Sequence, residues 1–237
     1  MISIVPLAGP DFVHPTRGIK PLMFVDGEAL LLRAITSRPW WRSGQLQPEG
    51  LIFVLRDVPE AYLVCDRIDD WFPGAQKVIL SSLTSGALMS ALAGVALVQD
   101  FTVPLCVDLV DIFYETDELI VDRFERDKVG AVVPYFSAEE SCYSYFEINQ
   151  KGLVTRAVEK QVISNYASAG TYFFRDAATY LKAVAFSLEN IAELSVNGVL
   201  FVCPAMNYLI GVGEQVMPIK VDRVKSVSKM FHRGENI

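Results

Sequence analysis

The sequence predicts a Rossmann-like α/β fold: a mixed, mostly parallel sheet with helices on both faces and a small antiparallel extension in the second half. Three observations carry this. Short, β-rich apolar runs alternate with amphipathic stretches through the first half, as parallel strands joined by crossover helices require. After about residue 140 that alternation gives way to closely spaced strand-like runs around a turn sequence. Hydrophobic residues make up 51% of the 237, ample for a continuous core.

In chain order, the expected strands of the first half are residues 3–7, 51–55, 77–80, 103–107 and 131–135. The expected helices between them are 28–36, 60–71, 85–98 and 118–126. Each helix carries apolar residues three and four apart, as Tyr62, Val64, Ile68 and Trp71 illustrate. In the second half, residues 143–148 and 152–158 flank Asn149-Gln150-Lys151-Gly152 and predict an antiparallel hairpin with a short loop. A strand at 169–174 and a helix at 177–184 follow. Without an internal repeat, a low-complexity segment or a separating linker, residues 1–237 are expected to form one domain, dividing near residue 135 into a parallel half and a mixed half.

Charge and composition exclude several functions. The formal net charge is −7, a field that repels nucleic acid, and the nearest thing to a basic cluster, Arg223, Lys225, Lys229 and Arg233, is diluted by Asp222 and Glu235. Cys65, Cys106, Cys142 and Cys203 are widely separated and predict reduced core thiols. His14 and His232 sit near opposite ends, so zinc lacks closely spaced soft ligands. The apolar N-terminus is broken by Gly9-Pro10-Asp11 and has no basic segment before it, which predicts a first strand rather than a leader. The longest apolar stretch, residues 87–98, is too short to span a bilayer. The expected compartment is the cytoplasm.

The N-terminal segment carries the most chemistry. A strand is followed by Ala8-Gly9, an irregular loop, Lys20-Pro21-Leu22 and Phe24-Val25-Asp26-Gly27 before a helix. In an open α/β sheet, ligands bind beyond the carboxyl ends of the strands, and a Gly-containing turn there offers backbone N–H groups to phosphate. A lysine across the loop adds a point charge for the same anion. By residue pattern alone, an ordinary first βα turn with a surface lysine explains the segment equally well.

Pro6-Leu7-Ala8-Gly9, Lys20-Pro21-Leu22 and Val25-Asp26-Gly27 resemble the opening of the nucleoside-triphosphate transferase family of sugar nucleotidyltransferases, which includes glucose-1-phosphate thymidylyltransferases. Pro73-Gly74-Ala75, Thr84-Ser85-Gly86-Ala87 and Pro104-Leu105 through to Asp111 follow in that family's order. So do Val158-Glu159-Lys160, Ser164-Asn165, Ala169-Gly170-Thr171-Tyr172-Phe173-Phe174, Asn197-Gly198 and Pro204-Ala205-Met206-Asn207. The resemblance implies a GT-A-type fold in which 1–135 binds nucleotide and 136–237 binds the acceptor. It implies catalytic roles for Lys20, Asp111 and Lys160, and nucleotide contacts from Leu7, Ala8, Gly9, Arg17, Thr84 and Gly86. Substrate contacts would come from Glu159, Asn165, Gly170 and Tyr172, and Asp111 would hold Mg²⁺. The implied partners are a nucleoside triphosphate and a phosphorylated sugar or similar small molecule, with no nucleic acid and no membrane, in a chain that resembles homo-oligomer-forming enzymes.

The chain departs from the family's pattern at three places: the loop after Gly9, Leu109-Val110 before Asp111 where the family has a small polar residue or Gly, and residues 224–230 where the family has its C-terminal signature. The family follows Ala-Gly with Gly-x-Arg, whereas Gly9 is followed by Pro10-Asp11-Phe12-Val13-His14-Pro15-Thr16-Arg17. Pro10 lacks a backbone donor, and Asp11 brings negative charge to the place of the triphosphate; Arg17 is the loop's alternative phosphate ligand, and His14 is a second candidate whose leading expectation is a solvent-exposed structural role. Asp108 competes with Asp111 for the metal, and Asp222 is a candidate second ligand. The adjacent aromatics Trp40-Trp41, and Trp71, are expected to pack rather than stack on a base. Glu139-Glu140 and Asp69-Asp70 are expected to be solvated. The leading expectation is transfer of a nucleoside monophosphate to a phosphorylated acceptor with release of pyrophosphate. A member that keeps the pocket only for binding or regulation is the alternative, ahead of an unrelated α/β glycosyltransferase.

Overall fold

The computed structural model describes residues 1–227; His232 and the basic residues Lys229 and Arg233 lie outside them. Four parallel strands open the chain: β1 (Ile2–Pro6), β2 (Leu51–Arg56), β3 (Gln76–Leu80) and β4 (Leu105–Asp108). Their order across the sheet is β3-β2-β1-β4, in register Val5↔Phe53 and Ile4↔Val107. The chain winds outward from β1 to β3 and then crosses back to β4. The loops after β1 and β4 therefore leave in opposite directions and open a crevice between them.

Leu51 to Leu55 are all fully buried, because helices cover both faces of the sheet. Val5, Phe53 and Leu55 point to one core, with Ala34 and Ile35 of α1 (Leu30–Thr36) and Val64 and Ile68 of α2 (Pro59–Trp71). Ile4, Ile52 and Val54 point to the other, with Leu88, Ala91 and Val95 of α3 (Ala87–Val95). The period of two along each strand thus feeds two cores, and each such buried Leu, Ile or Phe contributes roughly 1.5–3 kcal/mol.

The second half is mixed. After the ladder strand β5 (Ile112–Glu115) and helix α4 (Asp122–Asp127), β6 (Ala131–Ser137) is followed by β7 (Ser144–Ile148) and β8 (Val154–Glu159), the expected hairpin. The Asn149 side chain accepts from the N–H groups of Lys151 (2.9 Å) and Leu153 (3.1 Å), which makes the turn. Strands β9 (Tyr166–Ser168) and β10 (Thr171–Phe174) run antiparallel to β6, and β10 also lies antiparallel to β4. One sheet thus continues from β3 to β8 in the order β3-β2-β1-β4-β10-β6-β9-β7-β8. Helix α5 (Ala177–Glu189) starts at the N-cap Asp176, whose carboxylate accepts from Thr179 N at 2.7 Å.

Several boundaries differ from the sequence expectation for identifiable reasons. Residues 28–29 pair with Phe24–Val25 around Asp26-Gly27, both at positive φ, so α1 begins at Leu30. The helix expected at 118–126 is α4, starting later because the Thr116 hydroxyl first turns the backbone at Glu118, and ending at Lys128 with φ +52°. Beyond the expected elements, α6 (Met206–Gly211) leads to β11 (Val216–Lys220), which pairs parallel with β6. β12 (Asp222–Ser226) pairs antiparallel with β5.

The thiols are only partly core. Cys106 and Cys203 are buried as expected, whereas Cys65 is half-buried and Cys142 is exposed, since Cys142 falls in the turn entering β7 rather than on a strand face. Trp40, Trp41 and Trp71 do pack: Trp40 meets Phe173 edge-on at 4.8 Å, and Trp41 and Trp71 flank Phe72. No helix among the described residues is long and apolar enough to cross a membrane.

Candidate active site

The crevice is bounded by the carboxyl ends of β1 and β4, the start of β10 and the end of β8. After β1, Leu7 and Ala8 are buried, and Leu7 N already donates to the Val54 carbonyl at 2.7 Å. Gly9 then leads into a single 3₁₀ turn, Pro10–Phe12, anchored by the buried Phe12. Val13–His14 folds back on Gly18–Ile19 as a minimal hairpin, which returns the chain to Lys20. Within it, Thr16 N donates to His14 Nδ1 at 3.2 Å, and Arg17 stands exposed near the tip.

Lys20 is the centre of charge. Its ammonium donates to the Asp11 carboxylate, and it interacts electrostatically with Asp111. Burial disfavours the charged amine, but Asp111 and Asp11 together outweigh it and raise the pKa. Burial likewise pushes the Asp111 carboxyl upward; Lys20 opposes this, while Asp11 adds to it. The cluster therefore holds two acids around one base, charges that a ligand or cation could rebalance.

Asp111 owes its position to Asp108. The Asp108 carboxylate is fully buried and forms a bidentate pair with Arg38, at 2.9 Å to Nε and 2.8 Å to Nη2, both side chains being 1% exposed. It also accepts from Val110 N at 2.9 Å. Val110 is held at φ +54°, a rare conformation for a β-branched residue and costly unless the surroundings enforce it. This reversal turns Asp111 toward Lys20. Asp108, the competing metal candidate, is thus withdrawn from the crevice by its arginine. Asp222 is excluded as a second ligand as well. It pairs with Glu115 at the far end of the β5 ladder, four residues or roughly 13 Å along the strand from Asp111.

Gly170 completes the wall, and Tyr172 lies behind it. Gly170 has φ +76°, and a β-carbon there would stand 3.4 Å from Asp111 Oδ1. Tyr172 is buried, and its hydroxyl accepts from Ser168 Oγ at 2.9 Å and lies 3.5 Å from Ser144 Oγ. Ser144 in turn donates to Glu159. Tyr172 thus reaches the site as a support beneath Glu159 rather than as an exposed wall. Burial raises the Glu159 pKa to about 7 against the opposing influence of Ser144 and Lys160.

Because its folded pKa lies above the ordinary glutamate value, Glu159 keeps in the folded state a proton that the unfolded chain releases. Its contribution to stability is complete below about pH 4.5 and declines as pH rises through 7, by up to about 3 kcal/mol. Denaturation curves for wild type and Glu159→Gln across pH 4 to 8 should diverge in that interval, with the variant flatter; parallel curves would contradict the buried neutral carboxyl.

The remaining predicted residues are placed differently. Thr84 and Gly86 form the turn that starts α3, with Thr84 Oγ1 donating to the Gly86 carbonyl at 3.0 Å. Gly86 sits at φ +120°, and a β-carbon there would overlap the Leu200 carbonyl. Leu200 N also donates to Ser85 O at 2.7 Å, so this turn is clamped to the second half. Lys160, at φ +54°, rests its ammonium 5.0 Å from the Phe201 ring centroid and is exposed. Asn165 is exposed, its carbonyl accepting from Ala138 N at 3.3 Å. A cavity of about 500 Å³ opens beside Glu159, lined by Arg156, Gln161, Phe186, Asn190 and Asn207 among others. Asn207, in the Pro204-Ala205-Met206-Asn207 segment, bonds both Ala157 N (3.0 Å) and Ala157 O (2.7 Å) and so caps the outer edge of β8.

Sequence reading missed Arg38 and Ser144. Arg38 precedes a proline in an aromatic-rich segment, and its partner lies 70 residues away, so no local signal marks it.

No protein-family model and no curated protein sequence matches the chain. Its fold does match solved structures. A nucleoside-diphosphate-sugar pyrophosphorylase from Vibrio cholerae RC9 superposes with a TM-score of 0.78 at 20% identity, over 98% of this chain and 100% of that one. A Bacillus anthracis protein assigned as a glucose-1-phosphate thymidylyltransferase, in complex with sucrose, superposes with a TM-score of 0.72 at 17% identity, over 100% of this chain and 97% of that one. The described residues therefore have the Rossmann-like α/β fold of these sugar nucleotidyltransferase structures.

Proposed function

We propose that the protein transfers a nucleoside monophosphate from a nucleoside triphosphate to a sugar phosphate or a similar phosphorylated acceptor. An acceptor phosphate oxygen attacks the α-phosphorus, the bond from that phosphorus to the bridging oxygen breaks, and pyrophosphate leaves with the electron pair. The observation that carries the reading is the convergence of Lys20, Asp111 and Glu159 on one crevice at the topological switch point. Such a reaction needs little covalent assistance from the protein, because a phosphate monoester is already ionised; it needs two anions held together and their charge neutralised.

In this reading Lys20 balances the triphosphate. Leu7, Ala8 and Gly9 border it, with the turn of Thr84 and Gly86 facing the base and Arg17 at the loop's outer end. Glu159, in its neutral form, donates to a sugar hydroxyl. Tyr172 holds Glu159 through Ser144, and Gly170 leaves room beside Asp111. Lys160 swings from Phe201 to the acceptor phosphate, near Asn165. Magnesium fits the donor set in a restricted way. Asp111 offers hard oxygen atoms, while Asp108 is taken by Arg38 and Asp11 is paired with Lys20. The described residues contain no cluster of three or more ligating side chains. A Mg²⁺ ion held by Asp111 would take its other ligands from phosphate and water, as this cation commonly does, and would neutralise phosphate charge. We place the enzyme in the cytoplasm.

Incubation of the protein with Mg²⁺, each nucleoside triphosphate and a panel of sugar 1-phosphates is expected to release pyrophosphate with one or more pairs. No release from any pair would refute the transfer reaction for those substrates. It would favour the second reading, a binding or regulatory member of the same fold, which the carboxylate of Asp11 against Lys20 supports.

A further inference from the structure

We propose that the Asp11 carboxylate is an internal stand-in for a ligand phosphate: it occupies the anion seat beside Gly9 and against Lys20, and a bound phosphate must displace it. This rests on the reading of the crevice as a phosphate site, but not on catalysis.

Two contacts locate the seat. A β-carbon at Gly9 would stand 2.7 Å from Asp11 Oδ1, so the carboxylate is folded back against the Gly9 α-carbon, into space that only a residue without a side chain leaves open. The same carboxylate accepts from the Lys20 ammonium. An anion beside the Gly9 turn and against a lysine is what a phosphate would be there. The carboxylate fills that place with one charge and two oxygens.

The stand-in is built to leave. Asp11 sits in the 3₁₀ turn Pro10–Phe12, whose backbone is fixed by Pro10 and by Phe12, which is only 2% exposed. The Asp11 side chain itself is 49% exposed, whereas that of Lys20 is only 15% exposed. A change of side-chain rotamer therefore carries the carboxylate into water while the turn and the lysine stay in place. Once it leaves, Lys20 faces Asp111 and whatever anion has entered. A singly charged anion gains little by the exchange, because it replaces a like charge. A polyphosphate gains, because several charges and oxygen atoms compete with one carboxylate. Asp11 thus sets both the affinity of the seat and its preference for multiply charged phosphates.

Inorganic tripolyphosphate is the probe, titrated calorimetrically into wild type, Asp11→Asn, Lys20→Met and the double variant at fixed ionic strength. Asparagine keeps the shape and removes the charge, and circular dichroism checks that each variant is folded. Asp11→Asn should bind tripolyphosphate about tenfold tighter than wild type, allowing for screening at a half-exposed site. Lys20→Met should bind more weakly, and the double variant should lose the gain. Equal or weaker binding by Asp11→Asn overturns the proposal, and so does absence of binding by both wild type and Asp11→Asn. A gain that persists in the double variant also overturns it, since Asp11 would then repel anions without sharing their seat. Pyrophosphate release separates this from the transfer reading: an inactive protein whose Asp11→Asn variant gains tripolyphosphate affinity retains the stand-in and loses only the reaction.

Discussion

Replacing Arg38 by methionine is expected to destabilise the fold by about 3–5 kcal/mol, because it strands the Asp108 carboxylate in the core. Asp108 is fully buried, and the bidentate pair supplies two of its three hydrogen bonds. Burial works against the arginine's charge, yet Asp108 raises its pKa above the ordinary range, so the guanidinium stays charged in the core. Arg38 also stacks over the Tyr114 ring at 4.4 Å, and its Nη1 atom is buried without a hydrogen-bond partner. That orphan lowers the net worth of the pair without lowering the cost of breaking it. The double change Arg38→Met with Asp108→Leu should therefore recover much of the loss that either single change produces, although Val110 N then lacks its acceptor. Urea denaturation of the three variants measures this. A loss below about 1 kcal/mol for Arg38→Met, the range of an exposed ion pair, would show that the pair is not the buried strut described.

Removing the lysine at the centre of the crevice should have a comparably large effect on rate. Lys20→Met is expected to lower kcat/KM for pyrophosphate release by about 10²–10³-fold, as loss of one preorganised charge at a phosphoryl centre does. Asp111→Asn should produce a loss of similar size together with a weaker dependence on Mg²⁺ concentration. The two variants differ in their signature: the first removes positive charge that the protein itself supplies, the second removes an oxygen donor. If Lys20→Met stayed within threefold of wild type, the anion would have to be balanced by Arg17 or Lys160 instead, and the same assay on Arg17→Met and Lys160→Met would show which.

Much of the fold was legible because strands and crossover helices announce themselves locally. The run Leu51-Ile52-Phe53-Val54-Leu55 lacks polar alternation because both of its faces are covered, and the stripe through Val64 and Ile68 is the buried face of α2. The Asp26-Gly27 hairpin was equally local, and its turn dipeptide was present to be read, but the apolar period running into α1 masked it. β11 and β12 were not legible, since each is short and partly exposed and exists only because β6 and β5 supply the partner edge.

The candidate site divides in the same way. The sequence by itself determined the α/β pattern, the position of a Gly-containing turn after the first strand, the lysine across it, and the acidic residues that could face them. Those are properties of residue type and spacing over a few turns of chain. Only the tertiary structure decided which carboxylate was available. Asp108 and Asp111 are three residues apart and equivalent on paper, but an arginine from a distant segment buries one, and the strained Val110 turns the other outward. It was also the fold that laid Asp11 over Gly9 and against Lys20, and that hid Tyr172 beneath Glu159. The reason is physical: the state of an ionisable group is set by its desolvation and its nearest opposite charge, and both depend on parts of the chain that sequence spacing does not bring together.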